Sequence, residues 1–233
     1  MPLKIIQPDS VERFTALVIG AAGIGKTSLL RTIPADEKVC VLSAEGGLLC
    51  VRDLVQAGHI EGFEIGTFTE FKEAFDFLAH DNQARERYRW IFIDSLTEIA
   101  GRCVEAYQAK YPDKKDSFNL WGGYRDSMTV LIKGFRDLAP YNVVFTCLEE
   151  KDKDDINRIY YMPALAGKEV KERLTSYFDE VFYMTTLESG GTVERVFFTQ
   201  PYERRPAKDR SGRLDLVEKP DLQVIKQKIF NWR

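Results

Sequence analysis

An eight-residue glycine-rich segment near the amino end most strongly constrains how this chain folds. Residues 20–27 read GAAGIGKT, which fits the pattern G-x-x-x-x-G-K-[ST]. The apolar stretch RFTALVI at 13–19 precedes it, and KTSLLRTI at 26–33 follows it and ends before Pro34. The first stretch predicts a buried strand, and the second a helix that the proline ends. A strand, a glycine-rich turn and a helix in this order predict a loop whose backbone amides cradle phosphate groups.

The loop identifies candidate ligand-binding residues. Lys26 is expected to reach the β- and γ-phosphates of a nucleotide, and the Thr27 hydroxyl to hold Mg²⁺. The glycines permit the tight turn that points successive N–H groups at the phosphates. The predicted nucleotide-binding residues are Gly20, Ala21, Ala22, Gly23, Ile24, Gly25, Lys26, Thr27 and Ser28.

Strand and helix patterns alternate along the rest of the chain. Predicted strands are 13–19, 38–44, 89–94 and 142–148, and predicted helices are 26–33, 47–58, 69–80, 96–110, 124–138 and 221–231. Residues 179–200 are expected to form a hairpin that turns at 188–191. This order predicts an α/β fold with a mostly parallel sheet, helices on both faces and a C-terminal antiparallel hairpin.

Composition excludes several other classes of protein. A hydrophobic fraction of 44% and a charged fraction of 30% are ordinary for a globular domain and argue against a disordered chain. No apolar run approaches the roughly 18 residues of a membrane span, and no secretory signal is evident. The four cysteines, Cys40, Cys50, Cys103 and Cys147, form no C-x-x-C pair, which indicates reduced thiols in a cytoplasm-like compartment. The net charge of −3 means that any nucleic-acid binding must come from local patches or from assembly.

Two acidic residues are predicted to face the loop. Asp94 ends the apolar strand 89–94, where a carboxylate holds Mg²⁺ opposite Thr27; the alternative is an aspartate that caps the next helix. Glu45 follows strand 38–44 at the sheet edge where ligands of open α/β sheets bind. A carboxylate there can polarise the attacking water, although it could instead simply favour a helix start. AAA+ ATPases usually carry a glutamate directly after the metal-binding aspartate, but Ser95 stands here, so Glu45 is the predicted base.

These motifs resemble the RecA-like ATPase core. The similarity lies in GAAGIGKT, in a strand ending in SAEGG, and in WIFIDS at 90–95. The segments YYMPALAGKE at 160–169, DEVFYM at 179–184 and AKDRSGRL at 207–214 resemble short phage-encoded RecA-core ATPases linked to single-strand annealing recombination. The resemblance spans about residues 10–215 of a predicted single domain, 1–233. It implies a RecA-like P-loop fold, ATP and Mg²⁺ as cofactors, and catalytic roles for Glu45 and Lys26.

The resemblance also implies partners. RecA-like proteins place nucleotide between subunits, so a homo-oligomer is expected in which Lys208 and Arg210 complete a neighbour's site; the alternative is a solvated basic loop. Segments 110–125 and 149–168 correspond to the family's DNA-binding loops, although EEKDKDD at 149–155 is net acidic. Cations interleaved with aromatic rings suit single-stranded DNA. The predicted DNA contacts are Lys114, Lys115, Arg125, Arg158, Tyr160 and Lys168, and solvent loops or subunit contacts are the alternative.

The expected function is therefore Mg²⁺-dependent ATP hydrolysis in phage-type DNA recombination or annealing. The expected setting is the cytoplasm of a phage-infected or prophage-bearing bacterium, with a single-strand-binding protein as a further partner. A P-loop small-molecule kinase with 203–213 as its lid, and a nucleotide-switched assembly module with little turnover, remain alternatives. Thr146 and Glu149 are both candidates for sensing the γ-phosphate.

Overall fold

A single mixed sheet forms the centre of the molecule, which a computed structural model describes over residues 13–231. Residues 1–12 and 232–233 of the predicted domain lie outside the described part. The strands are β1 Thr15–Gly20, β2 Val39–Ser43, β3 Ile60–Glu64, β4 Trp90–Asp94, β5 Asn142–Lys153, β6 Ile159–Pro163, β7 Glu180–Ser189, β8 Thr192–Phe198, β9 Lys208–Asp209 and β10 Val217–Glu218. Their order is β10-β8-β7-β1-β5-β4-β2-β3, with β6 paired to β5 and β9 to β7.

Strand direction divides the sheet into two parts. The run β7-β1-β5-β4-β2-β3 is parallel, and β1, β2 and β4 are buried along their whole length. Continuous apolar strands of this kind suit a parallel sheet that helices cover on both faces. Strands β8, β9, β10 and β6 pair antiparallel with their neighbours. The predicted fold class is confirmed: a mostly parallel α/β sheet with a C-terminal antiparallel hairpin.

The sheet separates two apolar cores because side chains alternate along each strand. On β1, Leu17 and Ile19 belong to one core, whereas Ala16 and Val18 belong to the other. The helices are α1 Arg52–Gln56, α2 Phe68–His80, α3 Asn82–Arg87, α4 Leu96–Lys110, α5 Ser117–Arg136, α6 Lys168–Arg173 and α7 Leu222–Phe230. Helices α2, α4 and α5 cover the first face, and α7 with the segment after β1 covers the second.

Several predicted helix boundaries are wrong. Residues 26–33 form a six-residue 3-10 helix, Thr27–Thr32, rather than an α-helix. Residues 47–58 hold a 3-10 turn, Leu48–Val51, followed by α1. The predicted helix 124–138 begins earlier, since α5 starts at Ser117.

The same differences change the two segments predicted as DNA-binding loops. Much of 110–125 is helical, with a 3-10 turn at Lys114–Asp116 that leads into α5. Segment 149–168 holds the antiparallel pairing of β5 and β6. Within the described part of the chain, no helix is both long and apolar enough to span a membrane.

Candidate active site

The glycine-rich loop leaves the carboxyl end of β1 and is shaped by glycine at defined positions. A Cβ on Gly20 would lie 2.7 Å from the backbone oxygen of Met184 on β7, so a side chain cannot fit there. Gly23 and Gly25 have φ values of 73° and 107°, in the left-handed region that favours glycine. The two glycines fixed by the sequence pattern, Gly20 and Gly25, therefore serve close packing and a backbone turn respectively.

The ammonium of Lys26 lies inside the curve of this loop. Its Nζ donates to the carbonyl oxygens of Gly20 at 3.0 Å and Ala21 at 2.9 Å. Burial lowers the pKa of Lys26, and the negative charges of Glu45 and Asp94 act in the opposite direction. A cation held at the phosphate-binding loop thus faces both predicted acids.

Asp94 accepts hydrogen bonds from two hydroxyls on separate segments. Thr27 Oγ1 donates to Asp94 Oδ2 at 2.7 Å, and Thr146 Oγ1 donates to Asp94 Oδ1 at 2.5 Å. The carboxylate is buried at the end of β4. The two residues predicted to hold Mg²⁺, Thr27 and Asp94, are therefore in direct contact.

This donor set fits Mg²⁺ in its usual protein surroundings. Among residues 13–231, no group of three or more His, Cys, Asp or Glu side chains forms a metal-binding cluster. Mg²⁺ typically takes one or two carboxylates and fills its remaining positions with water and phosphate oxygens. One hydroxyl and one carboxylate at the mouth of a phosphate-binding loop meet that requirement.

Glu45 lies beside Asp94 because Ser95 connects the two ends of their strands. The Ser95 hydroxyl donates to Glu45 Oε1, and Ser95 directly follows Asp94 through a cis peptide bond. Arg102 on α4 holds the backbone next to Glu45 in place. Its guanidinium donates to the carbonyl oxygen of Ala44 at 2.9 Å and to that of Gly66 at 2.8 Å. Sequence reasoning did not assign these roles to Ser95 and Arg102, because each depends on contacts far along the chain.

Thr146 and Glu149, the two candidates for sensing the γ-phosphate, occupy different surroundings. Thr146 is fully buried and bonds directly to Asp94. Glu149 accepts from the hydroxyl of Tyr183, and its carboxylate lies 3.8 Å from Lys151 Nζ. Glu149 also contributes to the negative potential at Lys26. Both therefore lie near the loop, and Thr146 is part of its hydrogen-bonded cluster.

Lys208 and Arg210 lie towards the amino ends of the parallel strands, whereas the phosphate-binding loop lies at their carboxyl ends. Val181 pairs with Lys208, whereas the loop begins where Gly20 pairs with Met184. Three residues of strand separate these levels by about 10 Å. Lys208 Nζ donates to Thr175 O at 2.9 Å, and Arg210 pairs with Asp179. The structure does not bring these two cations to the loop of their own chain.

A buried carboxyl group anchors the segment that carries both cations. Glu180 pairs with Asp209 across β7 and β9, and its buried Oε2 has no hydrogen-bond partner among residues 13–231. Burial raises the pKa of Glu180 to about 8, with added repulsion from Asp209 and Asp179. Glu180 is therefore mostly protonated at neutral pH in the folded chain.

Glu180→Gln is expected to stabilise the fold more at pH 8 than at pH 5. The pKa of Glu180 is about 8 in the folded chain and 4.5 ordinarily. Between pH 4.5 and pH 8 the native state therefore holds a proton that the unfolded state has released. The free energy of unfolding due to this group then falls as pH rises, by at most about 1.4 kcal/mol per pH unit. Glutamine removes that dependence. Urea unfolding of both proteins at several pH values measures the difference, and a difference independent of pH contradicts the prediction.

The predicted DNA-contact residues fall into separate surroundings. Arg125 and Lys168 line one cavity of about 560 Å³ together with the exposed rings of Phe118 and Trp121. This cavity therefore lies between residues of both segments that the sequence predicts to contact DNA. The remaining residues lie elsewhere: Lys114 and Lys115 on an exposed 3-10 turn, Arg158 paired with Asp154 at 2.7 Å, and Tyr160 bonded to Asp152 at 3.1 Å.

Fold and site together define a P-loop NTPase. The phosphate-binding loop follows the first strand of a mostly parallel sheet, its threonine donates to an acid at the end of β4, and the charge of that acid acts on its lysine. The AAA domain family matches residues 12–211, and the chain belongs to that family.

Among solved structures, the chain is similar to a KaiC-like protein from the hyperthermophilic archaeon Pyrococcus horikoshii. The two share 13% sequence identity with a TM-score of 0.41, over 79% of this chain and 77% of that chain. None of the curated proteins matches the chain.

Proposed function

We propose that the chain binds ATP with Mg²⁺ and hydrolyses it, with Glu45 activating the attacking water. The observation that carries the proposal is the convergence of a cation and two acids at one sheet edge. Lys26 comes from the loop after β1, Asp94 from the end of β4, and Glu45 from the end of β2. These segments are far apart in the chain, and they meet because parallel strands end at the same edge of the sheet.

The nucleotide phosphates are held by groups already positioned at this edge. Lys26 exchanges its bonds to two loop carbonyls for phosphate oxygens, which remain within reach of the same Nζ. Thr27 and Asp94 would hold Mg²⁺, which when bound neutralises charge on the β- and γ-phosphates. Thr146 keeps the Asp94 carboxylate fixed through its own hydroxyl.

Glu45 then orients a water molecule against the terminal phosphate. The Ser95 hydroxyl donates a hydrogen bond to Glu45 Oε1. The other carboxylate oxygen, Oε2, then accepts the proton of the water. The side chain is exposed at the site mouth, where water reaches it. In AAA+ ATPases a glutamate directly after the metal-binding aspartate activates the water. In this chain Ser95 holds that position, and Glu45 takes over the role.

We extend the proposal to an assembly in which Lys208 and Arg210 act on a neighbour's nucleotide. Their position away from their own loop supports a role between subunits. Mixing Lys208→Ala chains with Glu45→Gln chains tests this, because each inactive chain lacks a different half of a shared site. Recovery of hydrolysis in the mixture supports the shared site, and no recovery above the separate proteins contradicts it.

The proposed task of the ATPase is recombination or annealing on single-stranded DNA, in a phage-infected or prophage-bearing bacterium. Support comes from the cavity at the start of α5, where Phe118 and Trp121 stand beside Arg125 and Lys168. Exposed rings stack on bases while cations neutralise phosphates. A single-strand-binding protein is the further partner we propose for this reaction.

Trp121→Ala is expected to weaken single-stranded DNA binding by about 5- to 100-fold, the effect of losing one base-stacking ring. Its ring is partly exposed and packs edge-on against Tyr124, so the fold should tolerate its loss. Fluorescence anisotropy with a labelled oligonucleotide measures affinity, and ATP hydrolysis with and without DNA measures coupling. Val130→Ala, an exposed position on the same helix, is the control. Equal affinity for wild type and Trp121→Ala counts against DNA binding at this cavity.

A further inference from the structure

A second large cavity borders the phosphate-binding loop on the side that faces the C-terminal hairpin. Its volume is about 950 Å³, within the range of small-molecule sites. The floor is formed by the loop, and the walls by β7, β8 and the segment around β10. The residues that matter here are Gly25, Ser28, Leu29, Met184, Arg195 and Val196.

The guanidinium of Arg195 lies against the loop itself. A Cβ added to Gly25 would lie 3.3 Å from both Cζ and Nη1 of the Arg195 guanidinium. The absence of a side chain at Gly25 therefore permits this approach. Arg195 pairs with Thr186 through the backbone of β8, and its exposed guanidinium makes no hydrogen bond or ion pair with the side chains or backbone of residues 13–231.

The two sides of the loop carry different residues, and this difference indicates the orientation of a bound nucleotide. Thr27 contacts Asp94, and Lys26 faces both acids, so the terminal phosphate and metal belong on that side. Gly25 and Ser28 instead border the hairpin cavity. A triphosphate that spans the loop consequently directs its α-phosphate and nucleoside towards Arg195.

We propose that Arg195 contacts the α-phosphate of a nucleotide bound to its own chain, with the nucleoside in the hairpin cavity. This inference rests on the proposed nucleotide site and adds to it a residue outside the loop motif. Guanidinium groups donate to phosphate oxygens through two parallel N–H bonds, a geometry that lysine does not offer. Apolar groups of Leu29, Met184 and Val196 supply the surface that a base or ribose would cover.

Titration of ADP and of ATP with Mg²⁺ against Arg195 variants tests the inference. Arg195→Ala and Arg195→Gln are both expected to lower the affinity for ADP and for ATP by about 10-fold or more. This is the effect of losing one charge-assisted hydrogen bond. Arg195→Lys is expected to recover part of the affinity, since it keeps the charge but loses the paired donors. Arg173→Ala, an exposed arginine on α6, is the matched control and should bind like wild type.

A Lys26→Ala protein in the same titration separates two kinds of failure. If Lys26→Ala loses binding while both neutral Arg195 variants bind like wild type, the inference is overturned and the nucleotide site stands. If Lys26→Ala also binds like wild type, the proposed site itself is wrong. Arg195 is exposed, so its variants should fold, and circular dichroism of each variant verifies this.

Discussion

Lys26→Ala is expected to lower the affinity for ATP and ADP by at least about 100-fold, because several charge-assisted bonds to phosphate are lost together. Lys26 Nζ is held between two loop carbonyls, Gly20 O and Ala21 O, at the position where phosphate oxygens would lie. Titration with a fluorescent nucleotide measures the change.

The fold should survive this substitution. Burial already lowers the pKa of Lys26, so the charged side chain is held at some cost in the nucleotide-free protein. Lys72→Ala, an exposed lysine on α2, is the control and is expected to bind nucleotide normally. Full affinity and turnover in Lys26→Ala would reject the loop as the phosphate site.

Glu45→Gln is expected to bind ATP normally but to hydrolyse it about 10²- to 10⁴-fold more slowly, the usual contribution of a general base. Glutamine keeps the size of the side chain and an oxygen that can accept from Ser95. It removes the carboxylate oxygen that would take the proton of water. Single-turnover hydrolysis at saturating ATP measures this step without product release.

A matched control lies one strand away. Glu64 ends β3, pairs in register with Ser43 of β2, and is exposed like Glu45. Glu64→Gln removes the same charge from the same sheet edge but outside the hydrogen-bonded cluster. Equal loss of hydrolysis in Glu45→Gln and Glu64→Gln would mean that the rate depends on the negative charge at this sheet edge and not on Glu45 as a base.

The sequence predicted the elements whose signals are local. Strands β1, β2, β4 and the apolar part of β5 were found because fully buried parallel strands are continuously apolar. The C-terminal hairpin was found because Gly190 and Gly191 mark its turn, and both have positive φ.

The start of α5 was missed because tertiary packing overrides a local signal. The predicted helix 124–138 begins directly after Gly122 and Gly123, yet both glycines lie within α5. A Cβ on Gly123 would lie 2.2 Å from the ring of Tyr107 on α4, so this glycine serves a close helix–helix contact. Gly123 therefore meets a packing requirement between α4 and α5, which the local sequence does not indicate.

The candidate site was predictable only in part for the same reason. Lys26, Thr27 and Asp94 stand in motifs, and the structure brings them together. The contacts of Ser95 and Arg195 join segments far apart in sequence, and no residue pattern indicates them.

Phosphate release from ATP by the purified chain, with and without Mg²⁺ and with single-stranded DNA present, tests the central claim most directly. We expect inorganic phosphate to appear in solution when Mg²⁺ is present, and to stop appearing when EDTA removes the metal that Thr27 and Asp94 would hold. A protein that releases no phosphate under these conditions, or that transfers it to an added small-molecule acceptor, would contradict the ATPase assignment.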